Sequence, residues 1–175
     1  MASSAAELSP RALEIVETAR ALLEDEGVEA LSMRRLAERL DIRAPSIYKH
    51  FADKRELEAA VISAGFEELA VSFEAAARRG SLRALGRAYR RFALAHAHLY
   101  RLMTSGPLPR ELLAPGVEDR AARPLLDVLD GNADRARAAW AFAHGMAILE
   151  LDGRFPPGAD LDAAWRLGLA AFAGR

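Results

Sequence analysis

Between Ser32 and Arg55 the chain gathers seven cationic side chains, Arg34, Arg35, Arg39, Arg43, Lys49, Lys54 and Arg55, against three acidic ones, Glu38, Asp41 and Asp53. The segment therefore carries +4 inside a chain of net charge −1, and it holds both lysines of the sequence. Such groups hold anions. A guanidinium fork fits a phosphate or a guanine edge through two parallel hydrogen bonds, and an ammonium grips phosphate as a point charge. Charge alone fits a solvated basic face equally well, so the apolar spacing has to decide.

Other chemistries find little support. There is no cysteine, which removes disulfides, thiolate metal sites and cysteine nucleophiles. His96 and His98 stand two apart and point to different faces of a helix, so they make poor joint metal ligands. The sequence lacks a glycine-rich phosphate loop and a Gly-x-Ser-x-Gly elbow. Ser105-Gly106 and Asp152-Gly153-Arg154 read as helix punctuation. The expectation is therefore no catalytic set, no metal and no cofactor. An enzyme or a helical scaffold with an incidental helical hairpin stays as the outside alternative.

With 51% hydrophobic and 28% charged residues, the 175-residue chain has enough apolar material for a real core. No apolar run approaches the ~20 residues of a membrane helix, and Met1-Ala2-Ser3-Ser4 lacks a signal pattern, so a cytoplasmic protein without membrane contact is expected. Ser9-Pro10 opens a helix whose apolar face is Ala12, Ile15, Ala19 and Leu22, stopped by Gly27. Its end, Glu24-Asp25-Glu26, is unfavourable at a helix C-terminus and must be held by tertiary packing. Ser32 caps a short second helix with Leu36, Ala37 and Leu40 inward. Asp41-Ile42-Arg43 is a turn, and Pro45 restarts a helix whose Ile47 and Phe51 face the core. Asp53 and Glu56 form a capping-box-like start for a long helix over 54–79.

Two short helices joined by a three-residue turn and buttressed on each side make a helix-turn-helix, whose second helix can enter the ~12 Å major groove. A hairpin inside an ordinary bundle has the same periodicity. Residues 11–57, however, resemble the N-terminal domain of the TetR family of bacterial transcriptional repressors. The likeness rests on Ala19, Leu22 to Gly27, Ser32-Met33-Arg34-Arg35-Leu36-Ala37, Ala44-Pro45-Ser46-Ile47-Tyr48-Lys49-His50-Phe51, Lys54 and Leu57. Asp41 departs from the pattern, standing where the family has a turn glycine. Aspartate tolerates left-handed backbone better than most residues. The resemblance implies that Tyr48, His50 and Lys54 contact the DNA backbone, with Ser32 and Arg34 also beside phosphate. Arg43, Ala44, Pro45, Ser46 and Lys49 form the groove-facing set, where arginine or lysine reads guanine and small residues touch a thymine methyl.

From about residue 81 the chain is alanine-, leucine- and arginine-rich with helical spacing. Residues 87–102 read as one helix or two. Ser105 to Pro109 and Ala114 to Gly116 break helices and could gate a pocket, and another short helix runs from Arg123-Pro124 to Asp130. Helices over 134–151 and 160–172 carry apolar stripes, Trp140, His144, Ala147, Leu151 and Leu161, Trp165, Gly168, Phe172, together with apolar residues off the stripe. Helices apolar on more than one face need more than one partner surface, and a second subunit supplies it economically. The expectation is an all-α protein of about nine helices. A helix-turn-helix domain over 1–53 precedes a ligand-binding and dimerisation domain over 54–175. The resemblance implies a homodimer paired through Phe142, Met146, Leu149, Leu161, Trp165, Gly168, Leu169 and Phe172, on a palindromic double-stranded operator. It also implies release by a small hydrophobic effector held among Phe66, Phe73, Phe92, His96, Tyr100, Met103, Trp140 and His144. Trp140…His144-Gly145 further resembles a WHG-type C-terminal subtype of the family. A filled, ligand-free core controlled by a protein partner is the alternative.

Overall fold

The computed structural model describes residues 8–78 and 80–173. Among the described residues there are nine α-helices and no strand. The described residues form two compact units: those up to 66 with 96–117, and those from 67 to 95 with those from 118 onward. The first unit thus includes residues 96–117 of the later chain beside the N-terminal helices.

In the first unit α1 (Pro10–Glu26) starts as its sequence directs, with Pro10 in the first turn and the Ser9 hydroxyl accepting from the Ala12 N–H at 3.2 Å. Ile15, Ala19, Leu22 and Leu23 are buried along one face. Gly27, at φ 85, donates its N–H to the Leu23 carbonyl and turns the chain into a short 3-10 turn, Val28–Ala30. Next come α2 (Met33–Arg39), α3 (Ala44–Ile47) and the 24-residue α4 (Lys54–Ala77), which contributes residues to both units. The last helix of this unit, α6 (Ala97–Thr104), packs on α1. Leu99 and Met103 of α6 press on α4 where Gly65 has no side chain. Ser63 ties the following loop down, donating to the Ala59 carbonyl and accepting from the Ala114 N–H at 2.9 Å.

The second unit holds α5 (Leu82–Ala95), α7 (Val117–Val128) from Glu118 on, α8 (Ala133–Leu151) and α9 (Leu161–Ala170). The segment read as one helix or two is two: α5 and α6 part at His96, whose φ −127 and ψ 55 leave the helical region. α7 begins before the expected start at Arg123, so Pro124 lies inside it. Glu118 and Asp119 suit the first turn of a helix N-terminus, in keeping with the earlier start. α5 packs on both α8 and α9. Arg90 of α5 binds Glu150 of α8 at 2.6 Å and Asp162 of α9 at 2.5 Å. Its guanidinium lies 5.9 Å from the centre of the Trp165 ring, and the indole N–H donates to Glu150 at 3.3 Å. On α7, Arg120 bridges Glu67 and Glu74. No helix among the described residues is long and apolar enough to cross a membrane.

Two outcomes follow. A Cβ at Gly86 would stand 2.2 Å from Leu169 Cδ1, a buried leucine. Gly86→Val should therefore lower stability by ~1–3 kcal/mol in urea unfolding, the usual cost of overpacking. Separately, the hydrogen bond from Arg120 holds the Glu74 carboxyl below its ordinary value of 4.5, and that from Arg90 holds Asp162 below 3.8. A carboxyl depressed by folding stabilises fully above its unfolded value and loses that contribution as pH falls through the folded one. The melting temperature should hold between about pH 5 and 6 and drop below about pH 4.5. In Arg120→Gln the drop should be shallower.

Candidate nucleic-acid interface

The turn before α3 is built around Asp41. α2 ends with Asp41 at φ 51, its N–H on the Glu38 carbonyl at 3.2 Å and the Ile42 N–H on the Ala37 carbonyl at 3.0 Å. This pair of bonds is the Schellman stop, with aspartate in the left-handed position that glycine fills most easily. Arg43 is then extended, at φ −84 and ψ 140, and α3 starts at Ala44 with Pro45 second, one residue earlier than expected. After one turn, bonds from the His50 and Phe51 N–H groups to the Ile47 carbonyl round off the helix. Ile47 and Phe51 are buried with Leu36 and Ala37, as their spacing predicts, while Leu40 is half-buried. At the start of α4 the Asp53 carboxylate accepts from the Glu56 N–H at 2.9 Å. The Glu56 carboxylate reaches back to the Ala52 N–H, one residue beyond the expected partner.

On this frame Arg34, Arg43, Pro45, Tyr48, Lys49 and Lys54 are exposed, and Ser32, Ala44, Ser46 and His50 are half-buried. Ser32 caps α2, accepting from the Arg35 N–H at 3.3 Å. Tyr48 is 52% exposed, so it is not a core residue.

The cations divide sharply. Arg35 pairs with Glu26, and Arg39 with Asp25 at 2.5 Å, which explains how the acidic end of α1 is held. Arg34 lies 3.6 Å from Glu38, Lys54 is 3.3 Å from Glu58, and Arg55 is 3.0 Å from Glu111. Among the described residues only Arg43 and Lys49 of the seven have no carboxylate within ion-pair distance. They flank α3. Arg34–Glu38 and Lys54–Glu58 follow the i,i+4 helical spacing legible in the sequence, whereas Arg35–Glu26, Arg39–Asp25 and Arg55–Glu111 join residues at separations for which the sequence gives no signal.

The eight expected effector residues fall into both units. Phe66, His96, Tyr100 and Met103 belong to the first, with Met103 lining a recess of about 160 Å³ beside Ile62 and Pro107. Phe73, Phe92, Trp140 and His144 belong to the second. Phe73, Phe92 and Tyr100 are buried, whereas Trp140 is 52% exposed on α8 and does not line an interior wall. His144 packs against it with ring centres 6.2 Å apart, and burial pushes the imidazole below its ordinary value. Of the expected interface residues, Trp165 and Leu169 turn inward within their own unit. Trp165 meets Phe142 edge-on at 6.0 Å, Leu169 covers Gly86, and the Phe142 ring sits over Gly168 and beside Phe172. Met146 and Leu161 are half-buried, and Leu149 is exposed. Leu167, an apolar residue off the α9 stripe that stands outside the expected interface set, is 78% exposed. Its position about 200° around the helix from Trp165 was the available signal.

A short helix flanked by exposed cations and held after a tight turn defines an all-α helix-turn-helix protein. Residues 15–61 match the model of bacterial regulatory proteins of the tetR family, and residues 82–172 match a tetracyclin repressor-like C-terminal domain, over half of the chain. The chain belongs to the TetR family of transcriptional regulators. It is 51% identical over 43 residues to the class C tetracycline repressor protein of Escherichia coli, covering 25% of this chain and 20% of that one. An uncharacterized HTH-type transcriptional regulator of Mycobacterium tuberculosis, Rv0681, is 28% identical over 151 residues, 79% of this chain and 69% of that protein. A solved protein of unknown function from Rhodococcus sp. RHA1 superposes with TM-score 0.72 at 26% identity, over 98% of this chain and 97% of that one. The chain thus spans only about a fifth of the tetracycline repressor that it matches by sequence.

The left-handed Asp41 gives a direct check. Asp41→Val should lower stability by ~1–2 kcal/mol in urea unfolding, the cost of a branched side chain in that region, while Asp41→Gly should not.

Proposed function

We propose that this regulator is a homodimeric repressor that reads a palindromic operator through residues 1–53 and is paired and switched by residues 54–175. The observation carrying the reading is that Arg43 and Lys49, at the two ends of α3, are cations without carboxylate partners among the described residues. A cation already paired within the protein must give up its partner to hold DNA, whereas these two need not. In the reading, Arg43, Ala44, Pro45, Ser46 and Lys49 face base edges. Ser32, Arg34, Tyr48, His50 and Lys54 hold the phosphate backbone.

Pairing is supported by the exposed apolar side chains Trp140, Leu149 and Leu167 on α8 and α9, which cost least when covered by a second copy. Two subunits would present their α3 helices to half-sites ~34–36 Å apart. Release is read as binding of a small hydrophobic molecule among the aromatic residues. A coupling of ~1–3 kcal/mol suffices to shift affinity severalfold to a hundredfold. The second reading, a filled core governed by a protein partner, draws support from Phe73, Phe92 and Tyr100, each at most 6% exposed.

Selection of bound duplexes from random sequence tests the main reading, since it should return an inverted repeat with half-sites one DNA turn apart. On that site Lys54→Ala should weaken binding to all sequences and lower the salt slope by ~1, while Lys49→Ala should change the preferred bases. Absence of any effect from both substitutions would remove α3 as the reading element.

A further inference from the structure

Within the second unit, α5 and α9 border a groove of about 580 Å³, inside the ~300–1,000 Å³ range of small-molecule sites. Five arginines line it, Arg83, Arg87, Arg90 and Arg91 from α5 and Arg166 from α9, against the single carboxylate of Asp162. The apolar lining comes from Leu94, Trp165 and Leu169.

These arginines are not equivalent. Arg90 is neutralised by Glu150 and Asp162, and by that pairing it fixes the Trp165 ring beneath its guanidinium. Arg166 also feels the charge of Asp162. Arg83, Arg87 and Arg91 have no carboxylate partner among the described residues. They recur every fourth residue, so three free guanidiniums follow one side of α5 over ~12 Å. A solvated helix face normally answers such cations with acids one turn away, as Lys54–Glu58 does on α4. α5, LRALGRAYRRFALA, contains four arginines and no acid, so its like charges repel at i,i+4 spacing with nothing local to offset them. In a concave site with an apolar lining the resulting positive field is concentrated rather than dispersed. Leu167 points away from the groove-lining Trp165, so a second copy docking on Leu167 need not cover the groove.

We infer that this groove binds a small organic anion with at least two charges, phosphate or carboxylate, carried on an apolar or aromatic body. The free guanidiniums supply forked donors to the anionic groups, and Leu94, Trp165 and Leu169 cover the body.

Isothermal titration calorimetry of the full chain without DNA tests this independently of the regulatory reading. The probes are 1-naphthyl phosphate and naphthalene-2,6-dicarboxylate, with 1-naphthol and inorganic phosphate as the body and the charge alone. At least one aromatic dianion should bind at one site per chain, about tenfold or more tighter than either comparison compound, and the tighter dianion tells phosphate from carboxylate. Arg87→Glu/Arg91→Glu should weaken it about tenfold or more, while the charge-matched Arg11→Glu/Arg137→Glu, both folded by circular dichroism, should not. No saturable binding, equal binding of inorganic phosphate, or equal loss in the two double variants would each overturn the inference.

Discussion

Closing the first turn of a helix fixes about six dihedral angles for a single hydrogen bond, and α3 is only four residues long. Its shape is therefore imposed by its neighbours. Ile47 and Phe51 anchor it in the core of the first unit, the left-handed Asp41 ends α2 two residues before Arg43, and Asp53 opens α4 shortly after Phe51. Each contact fixes one end of the segment that displays Tyr48 and Lys49. Side chains that must meet a partner at fixed spacing cannot tolerate a fraying helix, and here the surrounding core supplies the order that the segment lacks.

The same dependence shows in the charges. The excess of +4 between Ser32 and Arg55 is legible from composition, but its distribution is not. Arg35 and Arg39 are drawn to Glu26 and Asp25, residues nine and fourteen positions away that no helical period connects. Those acids sit against the dipole of α1, where carboxylates are unfavourable, and the arginines of α2 offset that cost. A segment-level count thus overstates the charge free to meet an anion. What it locates correctly is the segment, because caps, turns and core spacing are local and survive folding unchanged.

The second unit marks the limit of periodicity more clearly. The stripes on α8 and α9 identify both helices and nearly their ends, yet a stripe does not name the surface that covers it. Trp165 and Gly168 belong to a stripe read as facing another subunit, and the structure turns Trp165 toward α5 of its own chain and places Gly168 beneath Phe142. Trp140 shows the reverse, an aromatic assigned to an interior wall that half faces solvent. α5 covers α8 and α9 from within, and its own pattern gives no indication of which helices it will meet.

A chain with 24 basic and 25 acidic residues has no shortage of carboxylates, so cations without partners reflect placement rather than supply. Arg43 and Lys49 stand exposed at the ends of a single helical turn, while Arg83, Arg87 and Arg91 line a groove with an apolar lining. Equal charges in unequal surroundings select different anions. Exposed cations on a short helix suit a large polyanion whose own groove supplies the concavity. Cations in a recess beside Trp165 and Leu169 favour an anion small enough to enter and apolar enough to gain from leaving water. Desolvation separates the two further, since contacts in the recess are screened less by salt than those at the exposed helix.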